Sequence, residues 1–160
     1  MNWERARSDE QKQERIQEIV DATARLFETL DYEKITFALI AKEADFTRSN
    51  LYKYFNTKEE IFLELLKNDV KNWTNALLKA LDKPTYTIEA FSKTWVKTIM
   101  LHNRLLKLFP LSAAFLEKNC SDEALIAYKQ FSMDNIAIVM DHIKKIYTNQ
   151  IVKGNVLTTA

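Results

Sequence analysis

Residues 46–60 read FTRSNLYKYFNTKEE, and the fold turns on that stretch. Leu51 and Phe55 are four apart and share one face of a helix, so they point into a core. Arg48, Ser49, Asn50, Tyr52 and Lys53 are left facing outward. From Phe46 to Lys58 there are three cations and no anion; the first acid is Glu59. A cationic helix face is usually just solvated, so the neighbouring segments decide what this one is for.

Working upstream, Asp45 tolerates a left-handed turn, Phe46 anchors a corner and Thr47 caps the helix that follows. Before the turn, Thr36 caps a segment of about two turns with a narrow apolar face of Phe37, Ile40, Ala41 and Ala44. Farther back, Ile16, Ile19, Val20, Leu26, Phe27 and Leu30 recur at helical spacing. Ser8 is the expected N-cap of that first helix, with Asp9 and Glu10 in its first turn. Arg5 and Arg7 read as a basic arm or, more simply, as a frayed terminus.

Downstream, Thr57 and Glu60 have capping-box spacing. Ile61, Phe62, Leu65, Leu66, Val70, Trp73, Leu77 and Leu81 then carry an apolar stripe to about Asp82, a helix of roughly 36 Å. DKPTYT is the one hinge-like break. Ile88, Phe91, Trp95 and Ile99 mark the next helix, and RLLKLFPLSAAFLEKN reads as shorter pieces interrupted at Pro110. Ser121 caps a long last helix expected to end before Gly154, with a further apolar element starting beyond.

Composition agrees with an all-helical fold. The 160 residues contain one glycine and two prolines, too few to punctuate many strands and turns. With 23 basic and 22 acidic residues the net charge is only +1, so affinity for a polyanion must come from where charge sits. One cysteine excludes an internal disulfide. The absence of a leader-like or long uncharged apolar run predicts a cytoplasmic protein with no membrane span.

Two short helices joined by a tight turn, the second with an outward cationic and amide-bearing face, are the parts of a helix-turn-helix. Arg48 and Asn50 suit guanine and adenine edges, Tyr52 a thymine methyl or a phosphate, and Lys53 a base edge or backbone charge. Tyr54 divides between core and phosphate, and Lys58 is expected at the backbone. Thr36 and Thr47, at helix starts, would present free N–H groups to phosphates. Ser49 completes the outward set.

The run ITFALIAKEADFTRSNLYKYFNTKEEIF, Ile35 to Phe62, resembles the DNA-binding segment of the TetR family of bacterial transcriptional regulators. The matching positions are Thr36, Ile40-Ala41, Ala44-Asp45, Thr47, Leu51-Tyr52-Lys53-Tyr54-Phe55 and Lys58-Glu59-Glu60. Asp45 stands where the family usually has glycine, and Ser49 where it often has glycine or proline. The resemblance implies a three-helix DNA-binding domain, 1–56, followed by a helical effector-binding and dimerisation bundle, 57–160. It also implies a homodimer on a near-palindromic double-stranded operator, with recognition helices about 34 to 36 Å apart. A small apolar ligand would release the DNA by moving the fourth helix. The family usually continues into two further long helices that pair across the dimer, so a shortened second domain is expected here.

Trp73, Phe91, Trp95, Met100, Phe115, Tyr128 and Phe131 are the candidates for lining an effector pocket, with plain core filling as the alternative for each. Phe109 and Met133 belong with them. His102 and His142 stand alone, so no metal or other cofactor is expected. Cys120 lies just before a helix start, a position that can lower a thiol pKa, but without a partner base a structural or incidental thiol is expected. Paired carboxylates, a Cys/His couple and a phosphate-cradling glycine loop are missing, which argues against an enzyme. The alternative function is an architectural or cell-division DNA-binding protein controlled by a protein partner without a small-molecule effector.

Overall fold

A computed structural model describes the backbone of residues 2–157 and the side chains of residues 9–148. Arg5 and Arg7 therefore lie outside the described side chains. The fold is all-helical: among the described residues there are seven α-helices and no strand. They are α1 (Asn2–Thr29), α2 (Phe37–Glu43), α3 (Arg48–Leu51), α4 (Lys58–Ala80), α5 (Ile88–Met100), α6 (Asn103–Leu111) and α7 (Asp122–Leu157). A 3₁₀ turn, Tyr32–Lys34, joins α1 to α2, and a π-helical turn, Ser112–Leu116, follows α6. No helix among the described residues is long and apolar enough to cross a membrane.

The start of the first helix and the end of the last differ from expectation. The first helix passes through Ser8 and begins at Asn2, because the Glu, Arg, Gln and Lys around Ser8 are themselves good helix formers and override a lone capping residue. The last helix continues through Gly154 to Leu157. One glycine costs about 1 kcal/mol in a helix interior, a small term in a helix this long.

The chain divides into two compact units, Met1–Leu66 with Pro110–Leu125, and Lys67–Phe109 with Ile126–Ala160. The division falls after Leu66, ten residues past the expected boundary at 56, and the first unit takes back a later segment. The cause is packing: Ile61, Phe62, Leu65 and Leu66 on the first turns of α4 are fully buried. In that unit the Phe62 ring stands edge-on to Phe27 at 5.3 Å and to Tyr32 at 5.1 Å. Ile19, Val20, Ile35, Ile40, Leu51 and Leu116 fill the same interior.

Glu60 holds the returning segment. It lies at the third position of α4, where Thr57 Oγ1 accepts from its N–H at 3.3 Å, as a capping box requires. Its carboxylate reaches one residue farther back than expected, to Asn56 N–H at 2.7 Å, and also accepts from the Asn56 amide at 3.3 Å. Ser121 donates to it through its hydroxyl at 2.6 Å and its N–H at 3.2 Å. Ser121 caps α7, as expected from sequence, through a 3.4 Å bond from Ala124 N–H. Burial alone would raise the Glu60 pKa, but the Ser121 and Asn56 donors outweigh it and hold the carboxyl below its ordinary value.

The second unit packs Leu77, Leu81, Tyr86, Val139 and Ile146 with Trp73, Phe91, Trp95 and Ile143 against them. Asp69 is buried and takes a bidentate pair from Arg104, at 2.8 and 2.7 Å. α4 ends at Ala80, two residues short of expectation, where the Tyr86 hydroxyl donates to the Ala80 carbonyl at 2.9 Å. His142 donates to the Leu81 carbonyl at 2.8 Å, a structural use of a lone histidine. Pro110 sits inside α6, and the chain widens straight after it: Glu117 N–H bonds Ser112 O, five residues back, at 2.9 Å.

Candidate nucleic-acid interface

The turn between α2 and α3 is set by backbone hydrogen bonds. Phe46 N–H bonds Ala41 O at 2.8 Å and Asp45 N–H bonds Lys42 O at 3.2 Å, the Schellman pattern. That pattern needs a left-handed residue, and Asp45 supplies it with φ 58°. Thr36 Oγ1 accepts from Leu39 N–H at 3.2 Å and Thr47 Oγ1 from Asn50 N–H at 3.1 Å, so both threonines cap as expected. The first N–H groups of each helix then point out of its end, toward any anion that approaches.

Regular α-helix covers only Arg48–Leu51 in the second element, shorter than the sequence implies. The chain tightens into three-residue bonds, Lys53 N–H to Asn50 O at 3.1 Å and Tyr54 N–H to Leu51 O at 3.0 Å, before Phe55 N–H returns to Leu51 O at 3.1 Å. The facing is unaffected. Leu51 and Phe55 are buried, while Arg48, Ser49, Asn50, Tyr52 and Lys53 are exposed and Tyr54 is half-buried.

The outward side chains are partly pre-positioned. Tyr52 stacks on Phe37 of α2 with ring centroids 4.6 Å apart, and Arg48 donates to its hydroxyl at 3.3 Å. Phe37, expected in the core, is only half-buried because it serves this stack. Rings and guanidinium held in place lose less freedom on binding. Phe46 meets Tyr54 edge-on at 6.0 Å, and the Arg15 guanidinium from α1 sits 5.8 Å over the Phe46 ring. The sequence reading missed Arg15, since nothing in its local pattern announces a contact with Phe46.

Lys58 has a task that sequence did not reveal. Its ammonium donates to Tyr32 O at 3.0 Å and Ile35 O at 2.9 Å, and lies 3.9 Å over the Tyr32 ring. Two of its three donors are thus spent tying the start of α4 to the α1–α2 connection. The Tyr32 phenol in turn donates to Glu59 at 2.6 Å; burial, then that bond, push its pKa well above the ordinary value.

The aromatic candidates separate. Trp73, Phe91 and Trp95 come together in the second unit, with Trp73 to Trp95 at 5.2 Å edge-on and Phe91 to Trp95 at 5.9 Å. The Trp73 Nε1–H is buried and has no hydrogen-bond partner among the described residues. Tyr128 is buried and Phe131 half-buried on α7. Met100, Phe109 and Met133 are exposed, and Phe115 lies in the first unit, 5.6 Å from Tyr32. Cys120 is not activated by the helix start that follows it: burial, with the carboxylates of Glu60, Glu117 and Asp122 adding to it, pushes its pKa up against a backbone hydrogen bond that lowers it. Among the described residues no three His, Cys, Asp or Glu side chains gather as a metal site would need.

Comparison with known proteins bears on this arrangement directly. Residues 19–65 match the family described as bacterial regulatory proteins, tetR family, and residues 67–146 match the tetracyclin repressor-like C-terminal domain. A curated relative, the HTH-type transcriptional regulator HbdR of Aromatoleum sp. (strain CIB), is 29% identical over 77 residues, which is 48% of this chain. The match spans 34% of the relative's length, about a third of it.

Proposed function

Because the chain belongs to the TetR family, and is thus a transcriptional regulator with a DNA-binding helix-turn-helix, we propose that it is a repressor that a small molecule releases from a palindromic operator. The observation that carries this reading is the face opposite Leu51 and Phe55, where Arg48, Ser49, Asn50, Tyr52 and Lys53 are all exposed. Arg48 and Asn50 read base edges, Tyr52 and Lys53 meet bases or the adjoining strand, and Thr36, Thr47 and Tyr54 serve phosphates. Lys58 contributes its one remaining donor. DNA as the partner places the protein in the bacterial cytoplasm.

The effector belongs with Trp73, Phe91 and Trp95. A buried indole N–H with no partner is costly, and a ligand carrying an acceptor atom on an apolar or aromatic body would satisfy it. α4 starts directly after the recognition segment and carries Trp73 on its later turns, so a shift of this helix on ligand binding would re-aim the recognition segment. An architectural or cell-division role under a protein partner is the second reading; the unpartnered Trp73 N–H favours the effector.

A homodimer also draws support from α7. Ile126, Met133 and Met140 are exposed at seven-residue spacing, with Ile136 exposed between them. In an antiparallel pairing of two copies centred on Met133, Ile126 meets the second copy's Met140, and Asp122 meets its Lys144. Acids at one end and bases at the other thus become complementary. Selection of bound duplexes from a random pool, with sedimentation of the same sample, tests the proposal. An inverted repeat bound by a dimer supports it, and selection that recovers no common sequence contradicts it.

A further inference from the structure

We infer that α1 takes part in DNA docking, through a notch between α1 and the recognition segment that seats one backbone phosphate between Arg15 and Lys53. The inference rests on the DNA-binding reading and extends it to a helix that the reading had left out.

The notch is an open concavity of about 280 Å³ lined by Arg15, Asp45, Phe46, Asn50, Lys53 and Tyr54. That lining supplies two cations, an amide and a phenol against one carboxylate, an arrangement suited to a phosphate oxygen cluster. Arg15 reaches it from α1 and is held over the Phe46 ring, which is itself edge-on to Tyr54. One guanidinium nitrogen, Nη1, pairs with Glu18 at 2.7 Å, but both side chains are half exposed or more, at 56% and 50%. Such a pair is weak and screened, and the guanidinium has five N–H donors. A phosphate can therefore compete for the remaining fork.

Charge decides which side of Arg15 faces the DNA. A second, larger concavity of about 540 Å³ shares Arg15 and Tyr54 but is otherwise lined by Gln11, Lys12, Glu14 and Glu18. There two cations meet two acids and cancel. The Lys53 side keeps a net positive lining, and it is the side on which Asn50 also lies. Asp45 acts against the phosphate: the residue that closes the turn also puts a carboxylate in the seat, and so weakens it.

The test measures affinity of the full chain across a salt series, on a duplex selected for tight binding and on a scrambled duplex of equal length. Arg15→Ala should lower the salt slope by about one unit on both duplexes, which is about an eightfold loss at 0.1 M relative to 1 M salt. Arg15→Lys should restore the slope, and Asp45→Asn should tighten both duplexes. Thermal melts of each variant establish that it is folded. A folded Arg15→Ala protein with an unchanged slope, or with a loss confined to the selected duplex, overturns the phosphate seat while leaving the recognition face intact. If the wild-type chain itself binds neither duplex at low salt, the DNA reading fails first and the inference goes with it.

Discussion

The two compact units differ in where their unmet chemistry lies. In the first, the buried and half-buried polar groups find partners within the unit: Glu60 has donors from Asn56 and Ser121, Tyr32 has Glu59, and the half-buried Lys58 has two carbonyls. Its recognition segment, by contrast, keeps Arg48, Ser49, Asn50, Tyr52 and Lys53 exposed to solvent, with Arg48 and Tyr52 already held by Phe37 and by each other. In the second, the buried Trp73 N–H has no partner among the described residues, and large apolar side chains such as Ile88, Met133 and Ile136 are exposed. A rigid, satisfied interior suits a unit that presents a fixed face to a repetitive polymer. An interior with an open donor, and a surface with apolar stripes, suits a unit that completes itself with a ligand or a second copy.

The contrast is broken most severely by removing the centre of the first unit. Phe62→Ala should cost about 4 kcal/mol, because its ring is fully buried against Phe27 and Tyr32. Denaturant unfolding checks this. In the second unit, Arg104→Ala leaves the buried Asp69 carboxylate without its bidentate partner, and the expected loss is about 3 kcal/mol by the same measurement. A loss below about 0.5 kcal/mol would mean that Asp69 finds solvent in place of Arg104.

A smaller and pH-dependent effect sharpens the comparison. The Glu60 pKa is lowered in the folded chain, so its stabilisation is present above the ordinary carboxylate value and is lost as pH falls through the folded one. Glu60→Gln should cost about 2 kcal/mol near neutrality, since an amide NH₂ cannot accept the bonds that a carboxylate oxygen does. The variant's stability should also fall less than the wild type's on acidification. Parallel pH curves for the two proteins would show that Glu60 does not carry this dependence.

Local chemistry made much of the fold readable. Thr36, Thr47, Thr57 and Ser121 all cap where their positions ahead of apolar runs suggest, Asp45 takes the left-handed turn, and Leu51 and Phe55 share the buried face. Each of these depends on residues within four or five positions. The misses depend on residues far apart in sequence: Glu60 with Ser121, Asp69 with Arg104, Lys58 with Tyr32 and Ile35, and Arg15 with Phe46. No periodicity encodes such pairs. The aromatic candidates show the same limit, because helical spacing places Phe115 and Trp95 on apolar faces without saying that they belong to different units.

The central claim is that the exposed face beside Leu51 reads bases. Its most direct test is the ratio of affinities for the selected and scrambled duplexes, measured at one salt concentration for the wild type and for Asn50→Ala. The account predicts that the variant loses about 1 to 3 kcal/mol on the selected duplex and almost nothing on the scrambled one. An equal loss on both duplexes would contradict it.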